Sequence, residues 1–149
     1  MAAHWLPGAT GAVHLPWGFG AYHWRVSDGG TTLFVTLDRP GRRHTGDSLE
    51  AAYAGAADLA AAGVDAVCAP LPARSGRFTV HLGDAGAVGS EETAGGAGAG
   101  ALSVTPWLEG RTPTGAQAGE RAHVCEVVGA LAALHRAEPP AGPRAWAPR

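Results

Sequence analysis

Residues Trp17–Asp38, WGFGAYHWRVSDGGTTLFVTLD, constrain this chain more than any other segment. Two glycines, Gly18 and Gly20, precede Tyr22–Val26, a run rich in aromatic and β-branched residues. Ser27-Asp28-Gly29-Gly30 then supplies residues that tolerate positive φ in a tight turn, and Thr32–Leu37 is a second strand-like run. The pattern predicts a glycine loop opening a β-hairpin. In its second strand Leu33, Val35 and Leu37 alternate with Thr32, Phe34 and Thr36, so the two sets face opposite sides of a sheet.

The chain has 149 residues, enough for one domain with its own core. That core is thin, because 32 of the residues are Ala, and Gly plus Ala exceed a third of the chain. Lys, Ile and Asn are absent. A formal charge of −2 offers no basic footprint for nucleic acid and no polybasic membrane patch. The apolar stretches Ala51–Ala62 and Val124–Leu134 are interrupted by Gly55, Asp58, Glu126 and Gly129, and neither is fit to span a bilayer. No secretory signal pattern stands at the N-terminus, and the expected setting is the cytoplasm. Cys68 and Cys125 lie far apart in apolar stretches and are expected as buried free thiols.

Beyond the hairpin, Asp47 and Glu50 have capping-box spacing for a helix that presents Leu49, Ala52, Tyr53, Ala56 and Ala60 and stops at Gly63. Ala66–Ala69, Phe78–Leu82 and Ala101–Thr105 are further strand candidates. Residues 83–100 have low complexity and are expected as a flexible loop. A second helix is expected from about Glu120 to Arg136, with Val124, Val127, Val128, Leu131 and Leu134 along one side and Pro139-Pro140 ending it. The order ββαβββα predicts an α+β fold with one antiparallel sheet and a helix packed on it.

Several chemistries are excluded by context. Gly96–Ala101 fits a dinucleotide fingerprint formally, but a strand pattern follows it where a helix is required. A chain without lysine has no Walker A loop. His4, His14 and His23 are spaced too widely for a zinc motif, and no G-x-S-x-G nucleophile elbow occurs. The Gly18-Phe19-Gly20 loop remains, since glycines let backbone amides approach phosphate oxygens without a Cβ in the way.

With two later segments, the loop and hairpin resemble the aminoglycoside phosphotransferase-like family of small-molecule kinases. More narrowly, GFGAYHW…FVTLD is similar to a spectinomycin phosphotransferase-related subset. Ser103–Gly110, SVTPWLEG, is similar to the strand and hinge that lead out of the family's ATP lobe, and Leu131–Ala137, LAALHRA, to the end of the first helix beyond that hinge. The likeness covers roughly residues 12–138 and implies a kinase-like N-terminal lobe.

By that resemblance Gly18, Phe19, Gly20 and Ala21 would lie over the phosphates of ATP. The backbone from Thr105 through Trp107 to Leu108 would face the adenine, and Val35 and Leu102 would pack near its ring. Glu50 would stand on the helix that replaces the kinase αC element, although its capping-box spacing explains it as well. The family's strand lysine is replaced by Thr36, which carries no charge. The implied division is a nucleotide-binding lobe over residues 1–110, a hinge and first helix of a second lobe over 111–138, and a Pro/Ala-rich tail over 139–149.

The family works with ATP and Mg²⁺, but no His-Gly-Asp segment, Asp-Phe-Gly segment or asparagine occurs here, so catalytic and metal-binding residues have no candidates. The expectation is an ATP-binding lobe, inactive as this chain stands and lacking its second lobe or a partner chain that supplies one. The alternative is a non-catalytic nucleotide-binding or interaction module, the remnant of a truncated gene.

Overall fold

In a computed structural model that describes residues 4–18, 20–39, 45–82 and 100–137, the chain forms five strands and three helices. They are β1 (Gly11–Leu15), β2 (Ala21–Ser27), β3 (Thr32–Asp38), α1 (Gly46–Ala61), β4 (Val80–Leu82), β5 (Gly100–Pro106), α2 (Gly115–Ala118) and α3 (Arg121–Arg136). The hairpin turn fixes the register. Asp28 Oδ1 accepts from the amides of Gly30 at 3.0 Å and Thr31 at 2.7 Å, and Gly29 takes a φ of 95°. Those amide bonds, Thr31 first, hold the Asp28 carboxyl below its ordinary range. Ser27 is thereby paired with Thr32 and His23 with Thr36.

All the strands pair antiparallel, in the order β1-β2-β3-β5-β4, so the α+β architecture of a kinase-like N-terminal lobe is what the chain adopts. One sheet face carries the core: Val26 of β2, Leu33 and Val35 of β3, and Leu102 and Val104 of β5, closed over by Leu6. Trp5 seals this side by donating its indole N–H to the Leu71 carbonyl at 2.8 Å. Each of these aliphatic side chains contributes about 1.5–3 kcal/mol by leaving water, which is the main support of a lobe so rich in Ala.

The opposite face carries His23, Arg25, Phe34, Thr36, Asp38, Ser103 and Thr105, because residues directly opposed across an antiparallel pair share a face. Helix α1 lies on this side and has no fully buried residue. Polar contacts tie it down. The Tyr53 hydroxyl donates to Asp38 Oδ2 at 2.9 Å, and Gly46 comes so close to His81 that a Cβ there would sit 2.3 Å from its ring.

The helices begin and end close to their expected positions, with one change at the first cap. Thr45, not Asp47, is the N-cap of α1: its hydroxyl accepts from the Ser48 amide at 3.2 Å, while Ser48 Oγ accepts from the Thr45 amide at 2.9 Å. Asp47 sits in the first turn instead, where its charge complements the helix dipole. At the other end Gly63, with a φ of 86°, ends the helix as expected.

Ala66–Ala69 is not a strand. The Val67 amide folds back to the Val64 carbonyl, and Pro70 has no N–H to extend a ladder. Phe78–Leu82 shrinks to the three residues of β4. Strand β1 and the single turn α2 add two elements to the expected set. Cys68 and Cys125 are both exposed rather than buried, the first in an irregular segment and the second on α3, which has no buried residue. The loop expected at 83–100 lies outside the described residues up to Ala99. So do Pro139-Pro140 and the tail.

Candidate functional site

The turn from β1 into β2 begins where the Trp17 amide donates to the Leu15 carbonyl at 2.8 Å. Gly18 and Gly20 follow with φ of 86° and 84°, a backbone that L side chains rarely adopt. The amides of both glycines have no acceptor among the described residues, which leaves two donors of the kind that bind phosphate oxygens. Ala21 begins β2 beside them, and Phe19 lies outside the described residues.

Beneath the loop stands a side chain whose role the sequence did not disclose. His23 Nδ1 is 3.2 Å from Thr36 Oγ1, and a Cβ placed on Gly18 would lie 3.0 Å from His23 Nε2. The imidazole therefore bridges the strand position lacking its lysine and the glycine loop. It also stacks on Phe34, with centroids 5.0 Å apart. The signal was available: counting back from the Ser27–Thr32 pair in the hairpin puts His23 opposite Thr36.

Along the same face the sheet opens into a cleft of about 500 Å³, walled by Trp17, Phe34, Thr105, Trp107 and Leu108, with Cys68 on its rim. Phe34 and Trp107 are tilted against each other at 6.4 Å, and the Arg25 guanidinium lies 5.1 Å over the Trp107 ring. The Trp107 indole is fixed again by its N–H bond to Glu109 Oε1 at 2.9 Å. Aromatic walls held in this way suit a planar, π-rich ligand.

The hinge backbone is only partly available. The Trp107 amide is spent on the Thr32 carbonyl at 3.2 Å, whereas the Leu108 amide has no acceptor among the described residues. Val35 and Leu102, expected beside the adenine, face the other way: they are 6% and 1% exposed in the core on the far side of the sheet. Strand alternation gives their places on the cleft side to Phe34 and Thr105. Thr36, Thr105, Trp107 and Leu108 are thus brought together with the loop, and Val35 and Leu102 are not.

Glu50 belongs neither to a capping box nor to a contact with Thr36. It reaches the segment that leads into β4, where Oε1 accepts from the Phe78 amide and Oε2 from the Thr79 amide, both at 2.8 Å, and Oε2 also accepts from the Thr79 hydroxyl. Burial works to raise its pKa, but the Thr79 hydroxyl, the two amides and the Arg77 guanidinium outweigh it and hold the carboxyl below its ordinary value. Tyr53, further along α1, has its phenol pushed up to about 12 by burial first and by the neighbouring Asp38 charge and hydrogen bond, against a lowering contact from Ser103.

No group of three His, Cys, Asp or Glu side chains that could hold a metal occurs among the described residues. The nearest carboxylates are engaged, Asp38 by Tyr53 and Glu109 by Trp107. These residues do not fit a magnesium site, and no step is assigned to one. No helix among them is long and apolar enough to cross a membrane.

A model of a family described as "Phosphotransferase enzyme family" matches residues 12–149. No curated protein matches the chain.

Proposed function

The chain belongs to the phosphotransferase enzyme family, and from that premise we propose that residues 1–110 are the ATP-binding lobe of a small-molecule kinase of the aminoglycoside phosphotransferase-like kind, in its spectinomycin phosphotransferase-related branch. One observation carries this most directly: the paired glycines, the His23–Thr36 pair and the aromatic cleft at the hinge lie in sequence along a single face of the sheet. Phosphates would meet the amides of Gly18 and Gly20. The adenine would lie in the cleft that Phe34 and Trp107 wall and take a hydrogen bond from the Leu108 amide. Such a lobe positions the nucleotide, which is one part of what a protein contributes to phosphoryl transfer.

Within this proposal the 149 residues alone bind ATP without turning it over, because they include neither a His-Gly-Asp segment nor any asparagine. The groups that position an acceptor hydroxyl and hold Mg²⁺ would come from a second lobe or chain, and the cytoplasm is the setting this function implies. Titration with a fluorescent ATP analogue tests the proposal. Micromolar binding that unlabelled ATP competes away supports it, and a folded, monodisperse protein that binds none refutes it. Mg²⁺-dependent turnover in a coupled assay would overturn the inactivity.

A second function is favoured by α3. Val124, Val127, Val128, Leu131 and Leu134 are between 37% and 58% exposed along this helix. A non-catalytic interaction module would use that side for a partner. Oligomerisation without nucleotide binding is the result that selects it.

A further inference from the structure

We propose that His23 is the phosphate-binding side chain of this lobe, taking over through the imidazole the contact that Thr36 does not supply. The proposal rests on the nucleotide-binding function above and adds to it a residue. The geometry has three parts. The ring is anchored at Nδ1 by Thr36 Oγ1 at 3.2 Å, braced flat against Phe34 at 5.0 Å, and directed so that Nε2 lies beneath Gly18. When the Thr36 hydroxyl donates to Nδ1, the neutral ring carries its proton on Nε2 and donates toward the loop. When protonated, the ring donates from both nitrogens, to Thr36 Oγ1 and to a phosphate oxygen. A substitution of Gly18 would fill the space that Nε2 faces, so glycine is needed there for two reasons.

The groups around the imidazole leave this role open among the described residues. Leu15 of β1 and Ser103 of β5 carry no charge. On the same sheet face Arg25 is stacked over Trp107, and Asp38 accepts from Tyr53 of α1. Glu50 of α1 is spent on Phe78 and Thr79, and His81 of β4 lies against Gly46. No carboxylate is paired with His23 by hydrogen bond or ion pair among them.

The test compares fluorescent ATP and adenosine analogues on the wild-type chain and on His23→Leu and His23→Gln. Loss of a charge-assisted contact in His23→Leu should weaken the ATP analogue roughly tenfold to a hundredfold more than it weakens the adenosine analogue. His23→Gln, which keeps a donor without the charge, should fall between. Adenosine binding retained in each variant also reports an intact fold, and equal weakening of both analogues in His23→Leu overturns the phosphate role. Wild-type binding that His23→Leu leaves unaltered overturns the role of His23 alone, whereas a wild-type chain that binds neither analogue overturns the nucleotide function with it.

Discussion

Glu50 joins α1 to the segment that leads into β4, and removing it should be costly. The Thr79 amide and hydroxyl that it satisfies belong to a residue only 2% exposed, and the Phe78 amide is half-buried. A dry donor left without an acceptor costs about 1–3 kcal/mol. Because 22% of the Glu50 side chain reaches solvent, water would replace part of what is lost, and Glu50→Ala is expected to destabilise the lobe by about 3 kcal/mol. Glu50→Gln keeps one acceptor oxygen but turns an N–H₂ toward a donor, and should cost about half as much.

The pH dependence separates the two causes. Since the Glu50 carboxyl is held below its ordinary value of 4.5, its stabilising share is complete above that value and is lost as the pH falls through the depressed one. The gap between wild type and Glu50→Gln should therefore be widest near neutrality and close on acidification. Urea denaturation followed by tryptophan fluorescence reads both quantities. A neutral-pH loss below about 1 kcal/mol for Glu50→Ala, or a gap that does not change with pH, would refute this account of how α1 is held.

Gly18→Ala should impose about 1–2 kcal/mol of local backbone strain and push a methyl group against His23 Nε2, weakening the ATP analogue about tenfold in the fluorescence titration. The raised phenol of Tyr53 gives the reverse pH sign to Glu50: its stability share is full below about pH 10 and is lost as the pH rises through about 12. Tyr53→Phe should remove that alkaline loss in denaturation curves. Cys68 is exposed on the rim of the hinge cleft, so a saturating ATP analogue should slow its alkylation several-fold while Cys125 on α3 reacts at an unchanged rate, as read by mass spectrometry.

The hairpin was legible because turn chemistry and alternation agree there: Asp28 and Gly29 close the turn, and Leu33, Val35 and Leu37 mark one face. The same alternation places Val35 on the face away from Thr36, so a site containing both was ruled out by the pattern that predicted the strand. Strand β1 was hidden because four of its five residues are exposed, and only pairing with β2 makes it a strand. The cysteines were misjudged for a related cause. An apolar neighbourhood in sequence predicts burial only where another element covers it, and α3 has no cover among the described residues. The Glu50 contact was illegible since its partners, Phe78 and Thr79, are 28 and 29 residues away.

The strand order β1-β2-β3-β5-β4 has a consequence for folding and for how a ligand is felt. The first three strands form a local meander, cheap to close, that holds Gly18, His23 and Thr36. Strand β5, with Thr105 and the hinge beyond it, joins β3 only after residues 39–99 have been looped out, a slower and entropically dearer step. The candidate site straddles that seam. A nucleotide touching both sides would act as a clasp across the latest-formed pairing, adding about 2.7 kcal/mol at a hundred times its dissociation constant to any opening that peels β5 from β3. The added protection of backbone amides should concentrate along β3 and β5 and mark where the lobe comes apart.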